Sequence, residues 1–165
     1  MDTIRFRDQL DRDVLIKRKP KRIISLVPSI TELLYFLGFK DEVIAITKFC
    51  VHPQEWFETK GRIGGTKSLK IQNIIDLKPD LVIGNKEENT KEDISLLEKK
   101  VPVWMSDINS FDDALGFIKR LGSVLNKEAL CIDLVWTLNS AFERLKDLGK
   151  KRTAIYFIWN NSILF

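Results

Sequence analysis

Between Arg22 and Leu121, short apolar runs alternate with segments whose apolar residues recur every three or four positions, and few folds accommodate that rhythm. The run "RIISLV" (22–27) has the continuous apolar character of a strand buried on both faces. "PSITELLYFLG" follows at once, with Ile30, Leu33, Leu34 and Leu37 along one helical face. Ser29 and Glu32 have the spacing of a capping box there, and Gly38 supplies the stop. The rhythm then repeats. "EVIAIT" (42–47) predicts a second strand, "IQNIIDL" a short helix, and "DLVIG" (80–84) a third strand introduced by Pro79. A helix through Leu97, capped by Asn89 with Glu92 or by Thr90 with Asp93, leads to a fourth strand, "VPVWM" (101–105). Pro102 suits an edge or the start of a strand, because proline cannot donate to a ladder. Ser110 and Asp113 cap a further helix carrying Phe111, Leu115, Ile118 and Leu121. Strand–helix alternation of this kind predicts an α/β fold with a mostly parallel sheet flanked by helices. Ahead of it, "TIRFR" and "VLIKR" around the turn-like "DQLDRD" predict a small hairpin.

The pattern breaks after Leu125. Leu134, Leu138, Ala141, Leu145 and Leu148 form one apolar stripe on a helix from Asn126 to Leu148, stopped by Gly149. The apolar "TAIYFIW" (153–159) then predicts a strand that needs neighbours on both faces. The expected organisation is an α/β lobe over 1–125, a linking helix over 126–149, and the start of an incomplete second lobe over 150–165. An apolar strand with open edges also implies a tendency to self-associate.

Charge narrows the function. Lysine and glutamate alternate along most of the chain, so the net charge of +4 has no nucleic-acid face. The dense basic run "KRKPKR" (17–22) lacks interleaved aromatics and reads as a solvated connector. The first residues hold no apolar core of a signal peptide, and no run approaches the roughly 20 apolar residues of a membrane span.

The loop "GRIGGTKS" (61–68) looks like a phosphate cradle and fails the test. A phosphate-binding loop needs glycine directly before its lysine, where Thr66 stands, and a buried strand before it, where "HPQEWFETK" stands. A tight turn through Gly64 and Gly65 ahead of a short helix is the better reading. Cys50 and Cys131 have no metal or redox spacing, and Cys50 with His52 supplies two ligands where zinc wants three or four. His52 is the sole histidine, so a nucleophilic triad has one candidate base and no telling partners. No catalytic cofactor is expected. The acidic "NKEENTKED" (85–93) reads as a solvated loop and helix start, and Trp56, Trp104 and Trp136 mostly as core.

Two blocks, "PKRIISLVPSITELLYFLG" and "GRIGGTKSLKIQNIIDLKPDLVIG", with "VIAITKFCVHP" between them, carry a resemblance. The chain resembles, over residues 20 to 159, the periplasmic substrate-binding proteins of ABC importers for cobalamin, haem or ferric siderophores. The resemblance implies two α/β lobes joined by a long rigid helix, a chelate held between them, and delivery to a membrane-bound permease. Carried over, the ligand face holds Pro28, Ser29, Phe49, His52, Gly65, Thr66 and Asn85, with Trp159 facing them from the second lobe. Relatives' aromatics near Gly65–Thr66 and Asn85 are absent here, which leaves less stacking surface for a flat macrocycle. Permease docking falls to Glu92, with Glu88 as the second candidate. The resemblance places such a protein in the periplasm or cell envelope. The competing class is a cytoplasmic α/β enzyme acting on a nucleotide or sugar phosphate.

Overall fold

A hairpin opens the chain: β1 (Thr3–Arg7) pairs antiparallel with β2 (Asp13–Lys17). The structure, a computed structural model, describes residues 2–145 and residue 153. The alternation that follows is β3 (Ile23–Ser25), α1 (Pro28–Phe36), β4 (Val43–Ile46), α2 (Gln54–Thr59) and β5 (Gly61–Arg62). A two-residue hairpin, β6 (Gly64–Gly65) with β7 (Ser68–Leu69), comes next, then α3 (Ile71–Asp76) and β8 (Leu81–Asn85). Helix α4 (Lys91–Leu97), β9 (Val103–Ser106), α5 (Phe111–Leu125) and α6 (Glu128–Leu145) complete the described chain.

The predicted α/β fold is present. Strands β3, β4, β5, β8 and β9 form one parallel sheet in the order β5-β4-β3-β8-β9. Its centre is the core: Ile23, Ile24, Val43, Ala45, Ile46, Leu81, Val82 and Ile83 are fully buried. Chain order runs outward from β3 through β4 to β5, then returns to β8 beside β3 and runs outward the other way. The direction of winding therefore reverses between β3 and β8.

Pro102 stands where expected, just before an edge strand. The turn of the first hairpin closes that edge. Gln9 N–H donates to Met105 O (3.2 Å), Met105 N–H to Asp8 Oδ2 (3.2 Å), and Asp107 N–H to Gln9 Oε1 (3.1 Å). Two side chains thus stand in for the missing strand. Asp8 is fully buried yet satisfied, by the Arg12 guanidinium (2.6 and 2.9 Å) and the N–H groups of Leu10 and Arg12.

Several expectations change. Ser29 does not cap α1: Val27 is the extended N-cap, and Pro28, which has no N–H to satisfy, occupies the first turn. Thr90 and Ser110 do cap, each accepting from the N–H three residues on, whereas Asn89 is committed elsewhere. The segment "HPQEWFETK" contains α2, and "GR" after it is the fifth parallel strand. Both are too short to show a period. The linking helix starts at Glu128, because Asn126 takes a left-handed conformation (φ 55°) that ends α5. Its buried stripe is Cys131 and Val135 with half-buried Leu134 and Leu138, while Ala141 and Leu145 are exposed. Gly122 of α5 lets the two helices touch: a Cβ there would lie 2.8 Å from Cys131 Cβ. Leu148, Gly149 and the strand expected over 153–159, apart from residue 153, lie outside the described residues, as does Trp159.

Candidate ligand-binding site

All five parallel strands finish on one edge, at Ser25, Ile46, Arg62, Asn85 and Ser106. In open α/β sheets the crevice for a ligand forms beyond the carboxyl ends of the strands, where the winding reverses. The sequence-predicted residues collect there. Pro28 and Ser29 follow β3, Phe49 and His52 follow β4, Gly65 and Thr66 follow β5, and Asn85 ends β8.

The loops beneath are fixed by buried polar groups. The Thr31 hydroxyl lies 2.8 Å from Ser25 Oγ, 3.0 Å from Val27 O and 3.1 Å from Cys50 Sγ. Cys50 Sγ is also 3.2 Å from Thr47 Oγ1. All four side chains are buried, so this cluster ties the loop after β3 to the loop after β4. It also removes Cys50 from metal chemistry, since its sulfur points inward while His52 is exposed. No three metal-ligating side chains come together among the described residues.

Phe49 is thereby held outward, 51% exposed. Its ring rests on the hairpin that follows β5. A Cβ at Gly65 would lie 3.1 Å from Phe49 Cε2 and 3.3 Å from Lys48 Cε, so bare backbone forms the floor for both side chains. Gly64 has φ +100°, and a Cβ there would sit 2.4 Å from Ser68 O. Only glycine closes this turn without moving backbone. The Lys48 N–H donates to Gly64 O (2.8 Å), locking the two loops together.

Asn89 braces the other side. Its amide donates to Thr66 O (2.9 Å) and its Oδ1 accepts from Asn85 N–H (2.9 Å). Asn85 turns its own amide to internal use, accepting from the N–H groups of Glu87 (2.9 Å) and Glu88 (3.2 Å) and donating to Ser106 Oγ (3.1 Å). Burial pushes the half-buried Glu88 carboxyl up from its usual range, and the Lys67 ammonium offsets only part of that. Glu92 is exposed in the first turn of α4. Trp56 is buried edge-on against Tyr35 (5.3 Å) and Trp104 stacks on Phe117 (5.5 Å), so neither reaches the rim.

Sequence reasoning passed over Lys48 and the Cys50 cluster, and read only a helix cap in Asn89. The last had a readable signal, because an Asn four residues beyond a strand-ending Asn can bond back to it.

The pattern of one family, described as periplasmic binding protein, matches residues 23–164. This chain belongs to that family. An uncharacterised ABC transporter substrate-binding lipoprotein of Bacillus subtilis, YvrC, is 30% identical over 152 residues, which cover 90% of this chain and 47% of that protein. The vitamin B12-binding protein of Vibrio parahaemolyticus is 31% identical over 102 residues, 61% of this chain and 37% of its own length. The petrobactin-binding protein YclQ of Bacillus subtilis superposes with a TM-score of 0.80 at 18% identity, over 88% of this chain and 53% of YclQ. That likeness speaks for the fold. The chain spans about half the length of the curated relatives it matches, or less. No helix among the described residues is long and apolar enough to cross a membrane.

Proposed function

We propose that the chain is a substrate-binding component of an ABC importer. It takes up a metal chelate or corrinoid (cobalamin, a ferric siderophore or haem) and presents it to a permease from the cell-envelope side. One observation carries this reading: the winding-reversal edge gathers the predicted ligand residues, with Phe49 held outward on a glycine floor. Residues 1–125 act as the N-terminal lobe, 126–149 as the link, and 150–165 as the start of the opposing lobe, which brings Trp159 to the ligand. The chain does its work by binding and not by catalysis. Gly64 and Gly65 pair with Ser68 and Leu69 in a hairpin, so their backbone is spent on a turn and not on wrapping a phosphate. Glu92 serves as the docking carboxylate, its side chain being free at the start of α4, with half-buried Glu88 the weaker choice.

The test is an NMR titration of the 165-residue chain with cyanocobalamin, haem and gallium-loaded siderophores, which detects even millimolar binding. We expect at least one to move the amide signals of Ser29, Phe49, His52, Gly65 and Thr66. Silence at those signals with every probe overturns the proposal. For docking, Glu92→Lys should lower transport while leaving chelate affinity intact, since rim charges govern association more than folding.

A further inference from the structure

The charges around the rim are not evenly compensated. Three lysines stand on its loops: Lys48 after β4, Lys67 in the β6–β7 turn and Lys86 after β8. Lys86 is paired with Asp107 at 2.7 Å. Lys67 acts on the Glu88 carboxyl. Lys48 is exposed and, among the described residues, takes part in no ion pair.

Nor is Lys48 a freely swinging surface side chain. Its backbone N–H is bonded to Gly64 O, and its alkyl stem lies along Gly65. Its ammonium sits 5.0 Å from the centre of the Phe49 ring. A cation over an aromatic ring is thus in place on one glycine floor before any ligand arrives, so little ordering entropy remains to be lost on binding. The rim carboxylates Glu87 and Glu88 lie on the loop after β8, where Glu88 has Lys67 of the hairpin turn as its own counter-charge.

We infer that the rim selects an anionic chelate, with Lys48 meeting its negative oxygens while Phe49 covers its flat apolar part. The inference rests on reading this edge as the ligand face and narrows the ligand class within that reading. A charge-assisted contact from an ammonium to a carboxylate or catecholate oxygen is about twice as strong as a neutral one. A cationic chelate at the same place meets repulsion instead.

The experiment titrates the 165-residue chain with three probes: the trianionic gallium–enterobactin, cyanocobalamin without net charge, and the cationic gallium–desferrioxamine B. The trianion should bind at least about tenfold more tightly than the cation, and Lys48→Gln should remove about that factor for the trianion alone. Lys48→Arg, which keeps the charge, should restore it. Equal affinity for the cation, or binding of cyanocobalamin alone, overturns the inference and leaves the rim as the ligand face. An equal loss for all probes in Lys48→Gln overturns it too, because it marks a structural role. If no probe perturbs the rim, the reading of this edge falls and the inference with it.

Discussion

The two ends of the sheet's surroundings use polar side chains in opposite ways. At the β9 edge, Asp8, Gln9 and Arg12 spend their hydrogen-bonding capacity inside the molecule, and Arg12 goes on to pair with Glu98 at 2.7 Å. At the rim, the supporting groups (Thr31, Cys50, Asn89) are equally committed, but the side chains they hold up are not. Phe49, Lys48, Ser29 and His52 face solvent. The first region converts polar groups into stability, because each buried donor and acceptor finds its partner. The second leaves apolar area and charge unused in the free protein, which agrees with the ligand face proposed for it.

That contrast can be broken from either side. The largest effect is expected for Asp8→Ala, which strips four N–H and guanidinium partners at once and leaves the Arg12 charge half-buried. Its cost should be about 3–4 kcal/mol in urea unfolding, with chelate binding at the rim unchanged in the folded fraction. A loss of ligand binding as large as the loss of stability would show that the two regions are not separable.

Gly64→Val should come next, at about 2–3 kcal/mol, because φ +100° and the clash with Ser68 O are both backbone problems. Unlike Asp8→Ala it should also weaken ligand binding, since the floor under Phe49 moves. A Gly64→Val variant with native stability would mean the hairpin re-forms in another shape.

Asp80 tests the stabilising region by pH. Its carboxylate receives the Lys17 ammonium and the Lys21 N–H (2.9 Å), joining β2 to the start of β8. Burial raises its pKa, but the Lys17 hydrogen bond and the Lys21 N–H more than reverse that, and the carboxyl lies below its usual range. A lowered folded pKa means the contribution is complete above the unfolded value of about 3.9 and is lost as pH falls through the folded one. Asp80→Asn should therefore cost about 2 kcal/mol near neutrality and little in strong acid, so its unfolding curve against pH is flatter than the parent's. Parallel curves would remove Asp80 from the account.

Phe49→Ala should barely register in stability, within about 0.5 kcal/mol, since the ring is half in water. Chelate affinity should nevertheless fall about tenfold or more, as for an aromatic anchor removed from an interface. A stable variant with unchanged affinity would strip the rim of its main contact.

Much of this was legible in the sequence, for identifiable reasons. The central strands 22–27, 42–47 and 80–84 are buried on both faces, so continuous apolarity marks them. The caps at Thr90 and Ser110 are local, set by a side chain and an N–H three residues away. What was missed is short or non-local. Strand β5 has two residues, one a glycine, and exists because Ala45 and Ile46 pair with it. Asp8 looks like a turn residue, and its partner Met105 is 97 positions away. The residues expected to meet a ligand came from resemblance, and the sheet's winding puts seven of them, Pro28, Ser29, Phe49, His52, Gly65, Thr66 and Asn85, on one edge. Lys48 escaped notice because its company, Gly65 and Gly64 O, comes from a different loop.

The contact between Gly122 and Cys131 has a mechanical side. Two residues, Asn126 and Lys127, join α5 to α6, and Lys127 N–H is tied back to Gly122 O at 2.8 Å. The joint is thus braced at both its corner and its flank, like a bracket on a shelf. Helix α6 is 18 residues long, so it reaches about 27 Å from that corner, and about 5° of play there would swing its tip by about 2 Å. A methyl group at position 122 would press on Cys131 and so alter the direction in which α6 leaves the corner.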